Sequence, residues 1–230
     1  MAGSMREISS NGGTVPAYVS VPASGSGPGV VVIQEWWGLV PHIRNVADRV
    51  AAEGFVAIAP DLYRGEKTTE PDEAGKLVMQ MRLDQAAKDM AGAVDALLAM
   101  PETTGDGVGV VGFCVGGGLA LYLATVKPEV VAAVSYYGFP RQGMEWDLSA
   151  VKGAVLGHYA EVDDFAPREL ADQIERELRD AGVRVTFHHY PGTQHAFFND
   201  TRPEVHDPEA SELSWRRTLD FLHESLDSRA

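Results

Sequence analysis

The stretch Val108-Gly109-Val110-Val111-Gly112-Phe113-Cys114-Val115-Gly116-Gly117-Gly118 sets the single cysteine of the chain at the centre of a Gly-x-Cys-x-Gly turn. The residues before it form a short β-branched run suited to a buried strand, and Leu119-Ala120-Leu121-Tyr122-Leu123-Ala124 continues as an apolar helical stretch. Strand, sharp turn and helix therefore meet at Cys114. Such an elbow strains the backbone of its central residue and lifts the reactive atom above the sheet, so close neighbours must be glycine. Glycine-rich turns also cradle phosphates, but here no Gly-Lys-Ser/Thr follows, and Gly112-x-x-x-Gly116 lacks the dinucleotide spacing. A free cysteine is usually a small buried hydrophobe; in this glycine frame the nucleophile reading outweighs that one.

Working outward, the same alternation of strand and helix recurs. Met5–Ser9 and Val15–Val21 have extended character and flank the turn signal Asn11-Gly12-Gly13, which predicts a hairpin. Val30–Ile33 reads as a buried strand, followed by a helix from His42 to Glu53 that stops at Gly54, and by a strand at Phe55–Ala59. A helical region between Glu70 and Met100 precedes the elbow strand. Beyond the elbow helix come strands at Val130–Ser135, Gly153–His158 and Val183–Tyr190, a helix over Pro167–Ala181, and a last helix from Pro208 to Leu226 capped by Asp207. This predicts an α/β fold with a mostly parallel central sheet, helices on both faces and an N-terminal antiparallel hairpin. With no internal repeat and no long linker, residues 1–230 read as one domain; Met1–Ser4, ahead of a second methionine at Met5, are set aside.

Nothing in the 230 residues resembles a transmembrane span or a signal peptide, so a soluble, cytoplasmic protein is expected. One cysteine builds neither an intrachain disulfide nor a multi-cysteine zinc site. The net charge of −14 argues against nucleic-acid or anionic-membrane partners. An anionic substrate would need arginines close to the site.

In open α/β sheets ligands collect at the carboxyl ends of the strands. There stand Glu161-Val162-Asp163-Asp164 and Pro191-Gly192-Thr193-Gln194-His195. The chain order nucleophile, acid, histidine is that of the α/β-hydrolases, with Cys114, Asp163 and His195 as the three members. A free cysteine is only a few per cent thiolate at neutral pH, so a base must raise that fraction; His195 takes the proton and Asp163 fixes the imidazole tautomer. Asp164 is the rival acid, or a cap for the helix near Pro167. After the Val30–Ile33 strand comes Gln34-Glu35-Trp36-Trp37-Gly38, a carboxylate beside two tryptophans and hence poorly solvated, the setting of a proton carrier. The blander readings are an ion pair of Glu35 with an arginine and core packing of the tryptophans. The backbone N–H groups of Trp36 and Val115 are the expected oxyanion-hole donors.

On these motifs the chain resembles the dienelactone hydrolase family of α/β-hydrolases from about Arg6 to Leu226. Gln34-Glu35-Trp36-Trp37-Gly38, Ala59-Pro60-Asp61-Leu62-Tyr63, Gly112-Phe113-Cys114-Val115-Gly116-Gly117, Asp163-Asp164-Phe165-Ala166-Pro167 and His195-Ala196-Phe197 carry the resemblance. It implies hydrolysis of an unsaturated lactone or small activated ester through a Cys114 acyl-enzyme, without metal or organic cofactor. It also implies that Glu35 shuttles between an arginine and the cysteine. The expected partner is a small-molecule lactone or ester, the expected assembly a monomer or weak homo-oligomer. Family members use two arginines for the dienelactone carboxylate. Arg64 is the candidate for the first, whereas the position of the second, four residues beyond His195, holds Asn199, with Arg202 close by. Arg64, Trp37 and Asn199 are thus the expected substrate-binding residues. An esterase or thioesterase on another small substrate, or a non-hydrolytic ligand-binding protein on the same scaffold, are the alternatives; a thiol redox sensor would lack a second, resolving cysteine.

Overall fold

A run such as Val30-Val31-Val32-Ile33, apolar on both of its alternating sides, needs cover on both faces. It has it: all four side chains are buried, Val31 and Ile33 in one apolar layer, Val30 and Val32 in the other. A computed structural model of the protein describes residues 3–10, 12–140 and 146–227. The chain runs β1 (Ser4–Ser10), β2 (Gly13–Ser20), β3 (Gly27–Ile33), α1 (Pro41–Ala52), β4 (Val56–Pro60), α2 (Pro71–Gln80), α3 (Leu83–Ala99), β5 (Thr103–Phe113), α4 (Val115–Val126), β6 (Val130–Tyr136), β7 (Ala154–Val162), α5 (Arg168–Asp180), β8 (Arg184–Gln194) and α6 (Pro208–Leu226). Asp207 caps α6 as expected, its carboxylate accepting the Ala210 N–H at 2.9 Å.

The eight strands form one sheet in the order β1-β2-β4-β3-β5-β6-β7-β8. The β1–β2 and β2–β4 pairs are antiparallel and the others parallel, so the hairpin and the parallel sheet stand as predicted. One apolar layer is built by α3, α4 and α5 through Met90, Leu97, Leu119, Leu123, Ile174 and Leu178. The other is built by α1 and α6 through Ile43, Val46, Val50, Trp215 and Leu222. From β3 the chain crosses to β4 on one side and returns to β5 on the other. That reversal opens a crevice at the carboxyl ends of β3 and β5, where such sheets hold their ligands.

Several boundaries depart from the sequence reading, among them the start of β5, at Thr103 rather than Val108, and that of β3, at Gly27 rather than Val30. The helical region from Glu70 to Met100 is two helices, broken where Met81 and Arg82 are extended, although neither proline nor glycine stands there. The breaker is tertiary: α3 buries Met90, Val94 and Leu97 on the sheet, while α2 buries only Ala74. β7 and β8 each run four residues further than expected, to Val162 and Gln194. β1 begins at Ser4, and the Gly3 N–H donates to Asp48 Oδ1 at 2.9 Å, so part of the segment set aside is tied to the fold. Of the hairpin turn signal, Asn11 lies outside the described residues and Gly12 has φ +81°. No helix among the described residues is long and apolar enough to cross a membrane.

Candidate active site

Cys114 sits between β5 and α4 at φ 55°, ψ −121°, a conformation a side-chain-bearing residue holds only when its surroundings force it. The surroundings are backbone. A Cβ on Gly112 would collide with the Gly116 carbonyl, and one on Gly116 with the carbonyl of Gln34 in the turn after β3. The elbow is therefore pressed against the Gln34–Trp37 turn, consistent with the pairing of Ile33 and Gly112 just below.

Strand register assembles the rest. The last rung between β7 and β8 pairs Val162 with Gln194, so the next residue on each strand, Asp163 and His195, leaves the sheet side by side. His195 Nδ1 donates to Asp163 Oδ2 at 2.8 Å, and His195 Nε2 lies 3.3 Å from Cys114 Sγ. The other oxygen of Asp163 accepts the backbone N–H groups of Phe165 and Ala166 at 2.8 and 2.9 Å, which fixes the carboxylate before the imidazole arrives. Asp164 is exposed, and α5 has no side-chain cap, so neither role considered for it is taken up. Burial works against charge on His195, but the hydrogen bonds to Asp163 and Cys114 and the attraction of both outweigh it, and the imidazole is pushed up to about 10. It stands as an imidazolium at neutral pH, a counter-charge placed on the sulfur.

The same strand-end logic reveals a residue that sequence reasoning missed. Phe113 pairs with Tyr136 on the last rung between β5 and β6, so Tyr137 follows β6 as Cys114 follows β5. Tyr137 is buried, has φ 41°, and packs its ring edge-on against His195 with centroids 5.0 Å apart. Burial, then the negative charges of Glu35 and Cys114, push its hydroxyl well above the ordinary tyrosine value, so it remains a donor. The signal was the tyrosine directly after a predicted strand. A second missed residue is Phe165, 74 % exposed with its ring centroid 5.0 Å from that of His195.

Glu35 is 1 % exposed, and among the described residues no arginine forms an ion pair with it. Its Oε1 accepts the Tyr137 hydroxyl at 3.3 Å and its Oε2 accepts the Asn199 amide at 2.6 Å. Among the described residues its partners are thus two neutral donors, and Arg141 lies outside them. Asn199, expected at the substrate, is itself buried, its amide nitrogen engaged by Glu35 and its oxygen by Thr201. Arg64 is also placed elsewhere. It binds the Thr14 carbonyl at 2.8 Å and both oxygens of Asp89, in the wall of a cavity of about 700 Å³ that Cys114 and His195 do not line. Trp37 is turned inward, packed on Trp36 at 4.8 Å and beneath the Arg202 guanidinium at 5.6 Å; Trp36 is the more open of the two. Arg202 is held by Glu204 at 2.9 Å. Among the described residues no acceptor takes the N–H of Trp36 or of Val115, the two groups expected to bind an oxyanion.

The sheet order, the elbow and the helices on both faces define an α/β-hydrolase fold. The dienelactone hydrolase family model matches residues 15–226. A protein of Aquifex pyrophilus called Protein usf is 39% identical, over 97% of this chain and 99% of its own. A protein of Aquifex aeolicus provisionally named carboxymethylenebutenolidase is 35% identical, over 96% of this chain and 97% of its own. Among solved structures, a dienelactone hydrolase-like promiscuous phosphotriesterase from metagenomic libraries superposes with a TM-score of 0.84 at 25% identity, covering 98% of this chain and all of that one. The chain belongs to the dienelactone hydrolase family of hydrolases.

Proposed function

We propose that the protein opens an unsaturated lactone, or cleaves a small activated ester, through a thioester on Cys114. The observation that carries this reading is the His195 ring, 3.3 Å from the sulfur on one nitrogen and 2.8 Å from Asp163 on the other. The Cys114 thiolate attacks the carbonyl carbon, and its negative charge passes to the carbonyl oxygen. The N–H groups of Trp36 and Val115, the latter at the positive end of α4, stabilise that oxyanion. Collapse breaks the carbonyl–oxygen bond to the leaving group, which takes the proton of the His195 imidazolium when it needs one. An enolate leaving group, stabilised by conjugation, departs readily and then takes that proton, which leaves the imidazole neutral. The neutral imidazole then removes a proton from water, hydroxide attacks the thioester, and the carboxylate product leaves as Cys114 and His195 return to their ion pair. A lone nucleophilic thiol suits a reducing, cytoplasmic setting, where it is not driven up the oxidation ladder.

The test is loss of dienelactone ultraviolet absorbance on adding protein, run beside Cys114→Ala at matched concentration, with a neutral activated ester in parallel. Turnover of the lactone by the intact cysteine alone is the expected result. Cleavage of the neutral ester only would keep the thioester chemistry and move the substrate away from dienelactone. Silence on both would favour a ligand-binding protein on the same scaffold.

A further inference from the structure

A large apolar side chain on the surface carries no message by itself. Met5 on β1, Met79 on α2 and Val126 at the end of α4 are open to solvent in this ordinary way. Phe165 differs because it is placed. It is 74 % exposed, yet its ring lies against the His195 imidazole with centroids 5.0 Å apart. Asp163 sets it there. One oxygen of this carboxylate holds His195 Nδ1 at 2.8 Å, while the other accepts the Phe165 N–H at 2.8 Å and the Ala166 N–H at 2.9 Å, folding the chain back in an Asx turn. The acid thus orients the imidazole and brings a phenyl ring to it. The other aromatic ring against His195, that of Tyr137, is buried. Phe165 is therefore the aromatic surface at His195 that an incoming molecule reaches.

We infer that Phe165 forms the subsite for the leaving group, and that among esters the site prefers those of aryl alcohols. Given the thioester chemistry proposed above, on which this rests, the tetrahedral adduct collapses by breaking the bond between the carbonyl carbon and the alcohol oxygen. That oxygen keeps the electron pair and takes the proton of His195 Nε2. It must then stand within hydrogen-bond reach of the nitrogen, about 2.6–3.2 Å. Nε2 belongs to the ring that Phe165 lies against, so a phenyl or naphthyl group on the departing oxygen comes within the range of about 4.5–7 Å over which aromatic rings pair. The acyl group is fixed instead by its bond to Cys114 and by the N–H groups of Trp36 and Val115, so its size is not read by Phe165.

The experiment compares kcat/KM, which reports the steps up to release of the alcohol, for naphthyl acetate, phenyl acetate and phenyl butyrate. The two acetates share an acyl group and have alcohols of similar acidity, whereas the butyrate changes the acyl group alone. In Phe165→Ala the preference for naphthyl over phenyl is expected to fall about threefold to tenfold, the worth of one aromatic contact, while the butyrate-to-acetate ratio stays as in the wild type. Phe165→Trp keeps the naphthyl preference. Phe165 is exposed, so neither change disturbs the core. In parallel, binding of naphthol alone is followed through the NMR signals of the His195 imidazole, and Phe165→Ala is expected to weaken it by a similar factor. An unchanged naphthyl preference in Phe165→Ala overturns the proposal, as does an equal loss for all the esters, which would make Phe165 a support for the imidazole and nothing more. Where no ester is cleaved, naphthol binding decides: dependence on Phe165 keeps the subsite while the hydrolytic reading falls, and binding that ignores Phe165, or is absent, ends both.

Discussion

Four non-glycine residues among those described have a left-handed backbone: Arg64, Cys114, Tyr137 and Ala196. Each lies just beyond the carboxyl end of a strand, after β4, β5, β6 and β8 respectively, and the neighbour of Ala196, His195, meets both Cys114 and Tyr137 there. Backbone strain of this kind costs about 1–3 kcal/mol per residue and persists where the fold over-determines it. Part of what the strain sets up can be measured on His195. Its value is raised in the folded protein from about 6.5 unfolded to about 10. The pairing therefore contributes its full stability below about pH 6.5 and loses it as pH rises through about 10. Denaturation midpoints of wild type and His195→Gln, followed from about pH 6 to about pH 10.5, are expected to converge as pH rises, and Asp163→Asn to remove much of the slope. A difference that stayed constant would count against the ion pair. Cys114, Asp163 and His195 were legible in the sequence because each is local punctuation, the residue that follows a strand. Asn199 and Arg64 were not, because what they bind lies 164 and 25 residues away.

Among the secondary elements, register made the site. One ladder rung, Val162 with Gln194, brings the acid to the histidine, and another, Phe113 with Tyr136, brings Tyr137 to Cys114. Had β7 and β8 ended four residues earlier, as their apolar runs suggested, the acid and the histidine would hang from loops. Of the length added to β7, Tyr159 and Ala160 are buried, whereas Glu161, Val162, Pro191 and Gly192 are open to solvent, and there the Val162–Gln194 pairing rather than burial carries the ladder on. The loop after β4 is clamped in a similar way. Asp89 on α3, 1 % exposed, takes Arg64, the Ser10 hydroxyl and the Gln85 amide, joining the hairpin, the loop and the helix. Arg64→Ala should cost about 1–2 kcal/mol, the lower end for a buried carboxylate losing one of three donors, because Arg64 is partly exposed. In a chain of this length that is a fall in Tm of several degrees, read by thermal denaturation. The KM for a carboxylate-bearing lactone should stay within about twofold, since hydrogen-bond partners already occupy the guanidinium. A large rise in KM without loss of stability would return Arg64 to the substrate.

Across the whole molecule, the sheet order places β3 between β4 and β5 and opens the crevice at one edge of which Cys114 stands. Charge acts at this scale as well. With a net −14, the molecule repels an anion before any residue touches it. Screening shortens the reach of that field from about 30 Å at roughly 0.01 M salt to about 10 Å at roughly 0.1 M. The kcat/KM for an anionic lactone should therefore rise about twofold to tenfold over that range while a neutral ester stays flat, and steady-state rates at the two salt concentrations decide it. Equal slopes for the two substrates would show that no such field acts at the site. By itself, the sequence determined the strands, the helices, the elbow and the order of Cys114, Asp163 and His195, since these follow from local hydrophobic period and from where glycine must stand. Only the tertiary structure decided that Glu35 meets an amide and a phenol, that Arg64 turns to Asp89, and that one helical run breaks into α2 and α3. Those outcomes depend on which distant groups share a buried space, and burial makes an unpaired polar group costly enough to choose its partner there.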